Sequence, residues 1–157
     1  MNILAELPPD REAEGRFTVF DDEGAVLLGP VRCRGEADDT EERRHGTADD
    51  DPIGSHGDHP FGEYRLVAVE WNKQPARSYG PVFLRLFPLS GEAKAAWDAG
   101  RRGFGAHGGD LGPNGMLRPT YGCLRLDNEH ATATATLAEP ELTIGRPVPY
   151  ECRPLVP

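Results

Sequence analysis

A cysteine and a histidine sixteen positions apart are the residues of this chain best suited to covalent chemistry. Cys123 lies in the segment 120–126, Thr-Tyr-Gly-Cys-Leu-Arg-Leu, and His107 opens the segment His-Gly-Gly-Asp. A thiol beside an imidazole suits nucleophilic catalysis, because the imidazole lowers the thiol pKa below its usual value of about 8.5. Gly122 permits close backbone approach, so we predict that the N–H groups of Gly122 and Cys123 face a developing oxyanion.

Loops and one short strand are predicted to position these side chains. Residues 103–123 are rich in Gly, Pro and Asn, which is typical of loops, whereas Leu124 and Leu126 around Arg125 predict the start of a strand. Cys123 is therefore expected at a loop-to-strand junction, with His107 on a neighbouring loop. The alternative is that Cys123 is a small buried hydrophobic residue, as most lone cysteines are.

The same residues form a longer motif. A His-Gly pair, a glycine-rich loop and then Thr-x-Gly-Cys-Leu-Arg-Leu resemble the signature of the L,D-transpeptidase (YkuD-type) catalytic domain. The resemblance implies an enzyme that crosslinks or trims peptidoglycan stem peptides through an acyl-enzyme on cysteine. It makes Cys123 the nucleophile, His107 the general base and Gly108 the residue whose carbonyl orients that imidazole. Arg125 matches the arginine that follows the nucleophile by two positions.

The residues around the nucleophile are predicted to contact the oxyanion or the substrate. This set is Thr120, Tyr121, Gly122 and Arg125. Tyr121 stands where the family usually has a second histidine, and we expect its hydroxyl to border the site rather than pack in the core. Arg125 cannot deprotonate, so we expect it to pin a loop through backbone carbonyls or to meet a substrate carboxylate.

The predicted reaction is acyl transfer at the amide bond that follows the L-centre of a tetrapeptide stem. An acceptor amine that resolves the thioester makes the enzyme an L,D-transpeptidase, whereas water makes it an L,D-carboxypeptidase or endopeptidase. Alternatives from other classes are a non-catalytic peptidoglycan-binding module and a metal-dependent hydrolase that uses His56, His59 and His107. No cofactor is expected. His56, Asp58 and His59 imitate a metal site, but the set is too short to predict one.

Composition favours a mostly β domain. With 157 residues, 38% of them hydrophobic, 19 Gly and 15 Pro, the chain suits short strands and many turns better than a helical bundle. The resemblance implies mixed curved sheets arranged as a β-sandwich or barrel. The segment 90–100, with Ser90 as candidate N-cap, several alanines and Gly100 at its end, predicts one main helix at residues 90–99. We predict a catalytic domain over residues 16–153, an N-terminal arm over residues 1–15 and a mobile acidic loop over residues 36–57.

Alternating and apolar segments predict the strands of this domain. These segments are 16–20 and 25–28 as a hairpin, 31–35, 64–71, 82–87, 142–144, and 147–152 at a sheet edge because of its prolines. The resemblance favours a helix over residues 128–137. Cys33 and Cys152 lie in predicted strands, either as buried thiols or as a disulfide in an oxidising compartment.

The net charge of −9 lies entirely in the first third of the chain. Residues 1–52 carry fifteen acids and six bases, and the remaining residues carry eleven of each. This acidity argues against nucleic acid or an anionic membrane as partner, and a solvated surface is its simplest account. No apolar segment suits a signal peptide or membrane insertion. The resemblance implies the periplasm or cell wall, while cytoplasmic location, secretion-system delivery and oligomeric state stay open.

Overall fold

Eight β-strands close into a mixed barrel in the computed structural model, which describes residues 1–49 and 51–157. Their order around the barrel is β1-β2-β3-β7-β6-β5-β4-β8. In chain order the strands are β1 (Asn2–Leu7), β2 (Gly15–Phe20), β3 (Val26–Arg34), β4 (Gly62–Ala76), β5 (Gly80–Pro88), β6 (Gly105–His107), β7 (Leu124–Leu126) and β8 (Val148–Pro154). The helices are α1 (Asp39–Arg44), α2 (Gly91–Asp98) and α3 (Asn128–Thr143), with a 3₁₀ turn at Pro113–Gly115.

Alternation along the strands produces the core. In β5, Val82, Leu84 and Leu86 point inward and are buried, while the residues between them face outward. Tyr64 of β4 and Tyr150 of β8 fill the barrel beside them, with ring centroids 5.2 Å apart. The expectation of a mostly β domain is confirmed, and closure of the sheet removes the exposed edges that an open sheet would have.

One parallel strand pair organises the part of the barrel that holds the reactive residues. β6 and β7 run parallel, with Ala106 opposite Leu124 and His107 opposite Arg125. A parallel pair needs a long connection, and residues 108–123 supply it. β5 flanks β6 and β3 flanks β7, both antiparallel. The two short strands are therefore fixed on both sides by longer ones.

The predicted N-terminal arm is instead part of the barrel. β1 pairs antiparallel with β2 and parallel with β8, and it buries Ile3, Ala5 and Leu7. These apolar residues alternate, but Pro8 and Pro9 follow at once, so the strand is too short to stand out in the sequence. The prediction that the last strand lies at a sheet edge is wrong, because β1 and β4 pair with the two sides of β8.

The helices also differ from expectation. The helix α2 forms at Gly91–Asp98 as predicted, but it is not the main helix. It has 8 residues, whereas α3 has 16. α3 includes Leu142, so the predicted strand at 142–144 is wrong. Ala131, Ala135 and Ala138 give α3 a buried face at helical spacing, which overrides the threonines between them.

Within the acidic segment that was predicted as a mobile loop, the described residues include the helix α1. Asp38 caps α1 by accepting hydrogen bonds from the N–H groups of Thr40 and Glu41, and Glu42 is buried. Across residues 1–49 and 51–157, every helix is too short or too polar to cross a bilayer.

Candidate active site

A groove of about 920 Å³ contains both predicted reactive side chains. It opens beside the parallel pair of β6 and β7, and we call it the Cys123 groove. Six of the seven predicted site residues line it, and the seventh, Gly108, adjoins His107 in the chain. The six are His107, Thr120, Tyr121, Gly122, Cys123 and Arg125. Long-range strand pairing therefore gathers residues that the sequence separates by up to eighteen positions.

Strand register places the cysteine and the histidine on one face of the sheet. His107 lies opposite Arg125 in the parallel ladder, and Cys123 precedes Arg125 by two residues. Because side chains alternate along a strand, Cys123, Arg125 and His107 share a face. Cys123 lies in the bend directly before β7, and the thiol and the imidazole both line the Cys123 groove.

The hydrogen bond of His107 assigns its tautomer. Its Nδ1 lies 2.7 Å from the carbonyl oxygen of Gly108, as the resemblance implies. A carbonyl only accepts hydrogen bonds, so Nδ1 carries the proton and Nε2 keeps a lone pair. The ring is 2% exposed and is held by Tyr79, 4.8 Å away, and by Phe83, 5.7 Å away and stacked. The imidazole is therefore oriented as a base.

Burial keeps this imidazole neutral. The pKa of His107 is lowered to about 4, mainly by its removal from water and also by the positive charge of Arg125, while the Gly108 hydrogen bond opposes both. At neutral pH the Nε2 atom is therefore unprotonated and able to accept a proton.

The thiol of Cys123 does not have the low pKa that the sequence predicted. Burial among protein groups raises its pKa to about 11, although the charges of Arg101 and Arg125 lower it. The side chain is half-buried, and Sγ lies 3.6 Å from the Gly103 carbonyl oxygen, which it contacts as a donor. The resting site consequently holds a neutral thiol and a neutral imidazole rather than an ion pair.

Thr120 organises the turn that carries the cysteine. Its hydroxyl accepts a hydrogen bond from the Gly122 N–H at 3.0 Å and donates to the Cys123 carbonyl at 2.6 Å. The Gly122 N–H is thus engaged, and the prediction that it faces an oxyanion is wrong for this conformation. Of the two predicted backbone donors, the Cys123 N–H is left. Tyr121 is 55% exposed at the groove, so it is not a core tyrosine.

Gly122 is required by its surroundings as well as by its backbone. Its φ is +116°, and a Cβ atom there would overlap the Arg101 guanidinium and lie 2.9 Å from the Gly57 carbonyl oxygen. Arg101 is buried and donates to the carbonyls of Pro52 at 2.6 Å, Gly57 and Asp58 at 2.9 Å, and Gly122 at 3.0 Å. Sequence reasoning missed Arg101, because no local pattern shows which carbonyls a side chain reaches.

Arg125 also acts on backbone carbonyls. It is 2% exposed and donates to Ser78 at 2.8 Å, to Arg118 and Pro119 at 3.2 Å, and to Gly108. Of its two expected roles, these bonds match the pinning of loops. The Gly108 carbonyl accepts from both Arg125 and His107, so one arginine fixes the group that orients the base.

Asn128 is a second residue that sequence reasoning missed. It begins α3, and its Oδ1 accepts the Gly109 N–H at 2.8 Å. A Cβ on Gly108 would overlap this side chain, which explains the glycine beside the base. The polar start of α3 was visible in the sequence, but its contact with the loop 108–109 depends on the tertiary fold.

The histidines considered for a metal-dependent hydrolase do not assemble. His59 is fully buried, with Nε2 2.9 Å from the Tyr150 hydroxyl, and burial lowers its pKa to about 3. Asp58 accepts the Ala37 N–H at 2.8 Å. In the described part of the chain, His56 groups with Glu41 and His45 instead, and no cluster joins His56, His59 and His107.

The other two cysteines are buried thiols. Cys33 and Cys152 are free, and burial raises the pKa of both well above the usual range. Neither lines the Cys123 groove. Among the three cysteines, only Cys123 combines a polar groove with an imidazole on the same face.

Comparison with known proteins bears on the fold. Neither protein-family models nor curated proteins give a match. The solved structure of Bdellovibrio bacteriovorus Bd1075 is similar, with a TM-score of 0.52 and 12% identity over 95% of this chain and 46% of that chain. This chain thus spans about half the length of Bd1075. At such identity the similarity concerns architecture alone, and this chain shares its overall fold with part of Bd1075.

Proposed function

We propose that this protein is a cysteine-dependent acyltransferase of the L,D-transpeptidase type, acting on peptidoglycan stem peptides. One observation carries the proposal: the His107 Nδ1–H donates to the Gly108 carbonyl, which leaves an unprotonated Nε2 on the same face as Cys123. A module that only binds peptidoglycan needs neither a tautomer-fixed base nor a thiol beside it.

The proposed reaction starts from the neutral pair. As Cys123 Sγ attacks the carbonyl carbon of the scissile amide, its proton moves to His107 Nε2, and the carbonyl π electrons move to oxygen. The Cys123 N–H, with the Tyr121 hydroxyl, stabilises that oxyanion. Collapse breaks the C–N bond, the imidazolium gives its proton to the leaving amine, and a thioester remains on Cys123.

A second nucleophile completes the cycle. His107 Nε2 takes a proton from an acceptor amine or from water as that acceptor attacks the thioester. The attack releases the Cys123 thiolate, and the imidazolium of His107 returns the proton to it. An amine acceptor gives the transpeptidase, and water gives the L,D-carboxypeptidase or endopeptidase. Both outcomes use the same side chains, so they differ only in what occupies the groove next to the thioester.

The charge of the groove supports a peptide with a free carboxylate as donor. Its arginines exceed its acids, and Arg101 and Arg125 are engaged by carbonyls while Arg85 pairs with Glu70 at 2.9 Å. Arg102 and Arg118 form no ion pair with a carboxylate among residues 1–49 and 51–157. Arg102 donates to the Trp97 and Arg101 carbonyls and lies over the Trp97 ring, so Arg118 is the group best suited to a substrate carboxylate.

Incubation with purified disaccharide-tetrapeptide and mass spectrometry of the products tests the proposal. We expect loss of the terminal D-residue, with or without transfer to an amine acceptor such as glycine or a second stem. Cys123→Ser and His107→Ala should remove this activity, whereas Cys33→Ala should retain it. Unchanged turnover in Cys123→Ser would remove the thiol mechanism, and an inactive wild type that binds the muropeptide would favour the binding module.

The Tyr121 hydroxyl has its own test. Tyr121→Phe keeps the ring at the groove and removes the oxyanion donor, so we expect roughly a tenfold or greater fall in the acylation rate. Single-turnover acylation, followed by mass of the intact protein, measures it. An unchanged rate would mean that the Cys123 N–H stabilises the oxyanion without the tyrosine hydroxyl. Tyr121→His restores the residue usual in the family, and we expect the enzyme to tolerate it.

A further inference from the structure

A second group of reactive side chains lies at the rim of the Cys123 groove. It consists of Glu41 in α1, His45 at the C-terminal cap of that helix and His56 in the segment 51–57. We call these three residues the rim cluster. One ligand atom from each side chain lies within 4.8 Å of the other two. We propose that the rim cluster binds a divalent transition-metal ion, with zinc as the best match.

The donor set determines the class of ion. Two imidazole nitrogens and one carboxylate oxygen are the protein ligands of many zinc sites, and water completes the tetrahedron. Imidazole nitrogen disfavours calcium and magnesium, which take oxygen ligands. Glu41 and His45 are four residues apart around one helical turn, so they project from the same side of α1.

The backbone and a hydroxyl hold His56 in place. Its φ is +61°, a left-handed conformation that is uncommon for a residue other than glycine. Ser55 Oγ lies 2.9 Å from His56 Nδ1. A ring whose Nδ1–H donates to that hydroxyl presents an unprotonated Nε2 to an ion, and such outer hydrogen bonds are a regular feature of histidine ligands.

The two imidazoles are already adjacent. The rings of His45 and His56 stack with centroids 3.6 Å apart and an interplanar angle of 2°. His45 Nε2 lies 3.7 Å from Glu41 Oε2. Parallel rings do not aim their nitrogens at one point, so binding requires the rings to splay. His45 is 39% exposed and has room for this rotation.

Charge around the rim cluster favours a cation. The cluster lies mostly in the acidic first third of the chain, with Asp38, Asp39 and Glu42 on or beside α1. Two arginines oppose binding: Arg44, whose Nη1 pairs with Glu41 Oε1 at 2.9 Å, and Arg101, whose charge acts on His56. Arg44 is 67% exposed, so an ion can displace it at little cost.

The position of the site suggests what the ion does. It would join α1 to the segment 51–57, and Arg101 joins Gly57 of that segment to Gly122 beside the nucleophile. The ring of His56 also lies 6.3 Å from that of Tyr121. A bound ion therefore braces the groove rim and stabilises the folded protein, and it takes no part in the thiol reaction.

Calorimetric titration of the full chain with zinc chloride, after dialysis against chelator, tests the site. We expect one zinc ion per chain in wild type and in Cys123→Ser, which removes the competing thiol. Each of His45→Ala, His56→Ala and Glu41→Gln removes one ligand and should weaken zinc binding at least roughly tenfold. Tenfold is the lower end of the loss in metal affinity caused by mutating residues that only hydrogen-bond to a ligand. His130→Ala is the matched control, because His130 lies near Asp127 and Glu129 outside the rim cluster.

A second variant and a spectroscopic measurement sharpen the outcome. Arg44→Ala keeps all three donors and removes the competing cation, so it should bind zinc at least as tightly as wild type. X-ray absorption at the zinc edge should show two imidazole nitrogens and oxygen at about 2.0–2.1 Å. Absence of binding, sulfur coordination, or binding that survives in His45→Gln and His56→Gln together but is lost in Cys123→Ser would overturn the proposal.

Discussion

Burial pushes the pKa values of Cys123 and His107 apart in the direction that keeps both side chains neutral, so in the proposed reaction the proton moves only as the thiol attacks. The pKa of the thiol is raised to about 11, and the pKa of the imidazole is lowered to about 4. A preformed thiolate is therefore a minor species at neutral pH. In the proposed mechanism His107 therefore acts as a general base during attack rather than as the counter-ion of a thiolate.

The first prediction concerns pH. The imidazole must be unprotonated to act, and its pKa is about 4, so activity should be lost only as pH falls through about 4 and should stay flat across neutral pH. A profile of kcat/KM against pH measures this acidic limb, the pH range over which activity is lost. Protonation of His107 followed by NMR in Cys123→Ser should show the same midpoint, and a limb near 6.5 would mean that the imidazole titrates as if it were in water.

A second prediction concerns alkylation. Because iodoacetamide reacts with thiolate, labelling of Cys123 should be slow at pH 7 and rise about tenfold per pH unit toward pH 11. Cys33 and Cys152 should stay unlabelled while the protein is folded, since both are buried. Peptide mapping after timed alkylation measures each site. Fast labelling of Cys123 at pH 7 would restore the low thiol pKa expected from the sequence.

A third prediction separates two effects at Gly122. Gly122→Ala combines a positive φ with overlap against Arg101, so we expect a loss of about 3 kcal/mol or more in the free energy of unfolding. Gly100→Ala is the matched control, because its φ is +105° and no atom lies within 4 Å of the added Cβ. It should cost only about 1–2 kcal/mol. Equal losses in urea unfolding would show that contact with Arg101 is unimportant.

At the scale of elements, one arginine joins three separate parts of the chain. Arg101, just after α2, holds the segment 52–58 and the turn at Gly122 through four carbonyls. Burial lowers its pKa, but an arginine stays charged at working pH. The turn at residues 120–123 is therefore fixed by a side chain from outside the His107–Cys123 motif, in addition to its own Thr120 hydrogen bonds.

The fourth prediction tests that tie. Arg101→Lys keeps the charge and loses the planar fork, so several buried carbonyls lose their donor and the free energy of unfolding should fall by about 3 kcal/mol. Activity should fall with it. Arg102→Lys is the control, since Arg102 is exposed and donates to the Trp97 and Arg101 carbonyls. Equal stability of the two variants, measured in urea, would contradict the role of Arg101.

For the whole molecule, two buried histidines make folding sensitive to acid. The pKa of His59 is lowered to about 3 and that of His107 to about 4, mainly by burial, whereas both groups titrate near 6.5 in an unfolded chain. Between these values the unfolded chain binds more protons than the folded one. The contribution of these histidines to the free energy of unfolding is therefore fully present above pH 6.5 and is lost as pH drops toward 3.

The fifth prediction follows from this linkage. Each histidine should lower the free energy of unfolding by up to about 1.4 kcal/mol per pH unit below pH 6.5. Urea unfolding at pH 7.5, 5.5 and 4.5 measures the slope. His59→Gln keeps hydrogen-bonding capacity toward Tyr150 and cannot titrate, so its slope should be shallower. An unchanged slope would assign the acid sensitivity to other groups.

Local information was enough to predict much of this protein. Residue type and spacing made His107 and Cys123 candidates, and the resemblance to the L,D-transpeptidase catalytic domain favoured this pair. Both residues line the Cys123 groove. Alternation predicted the strands β2, β4 and β5, since a half-buried strand must alternate whatever its partners are. The helix at 91–98 was predicted from a different local signal, its alanines and Ser90 as candidate N-cap, although the Ser90 side chain makes no capping hydrogen bond.

Other features depend on contacts between distant residues, and only the tertiary structure decided them. β1 joined the barrel because β8, from the other end of the chain, pairs with it. The Gly122 N–H went to Thr120, and the thiol pKa rose instead of falling, because both depend on three-dimensional packing. The rim cluster combines a helix with a loop eleven residues further on. Spacing alone cannot reveal such contacts, because it fixes neither strand pairing nor burial.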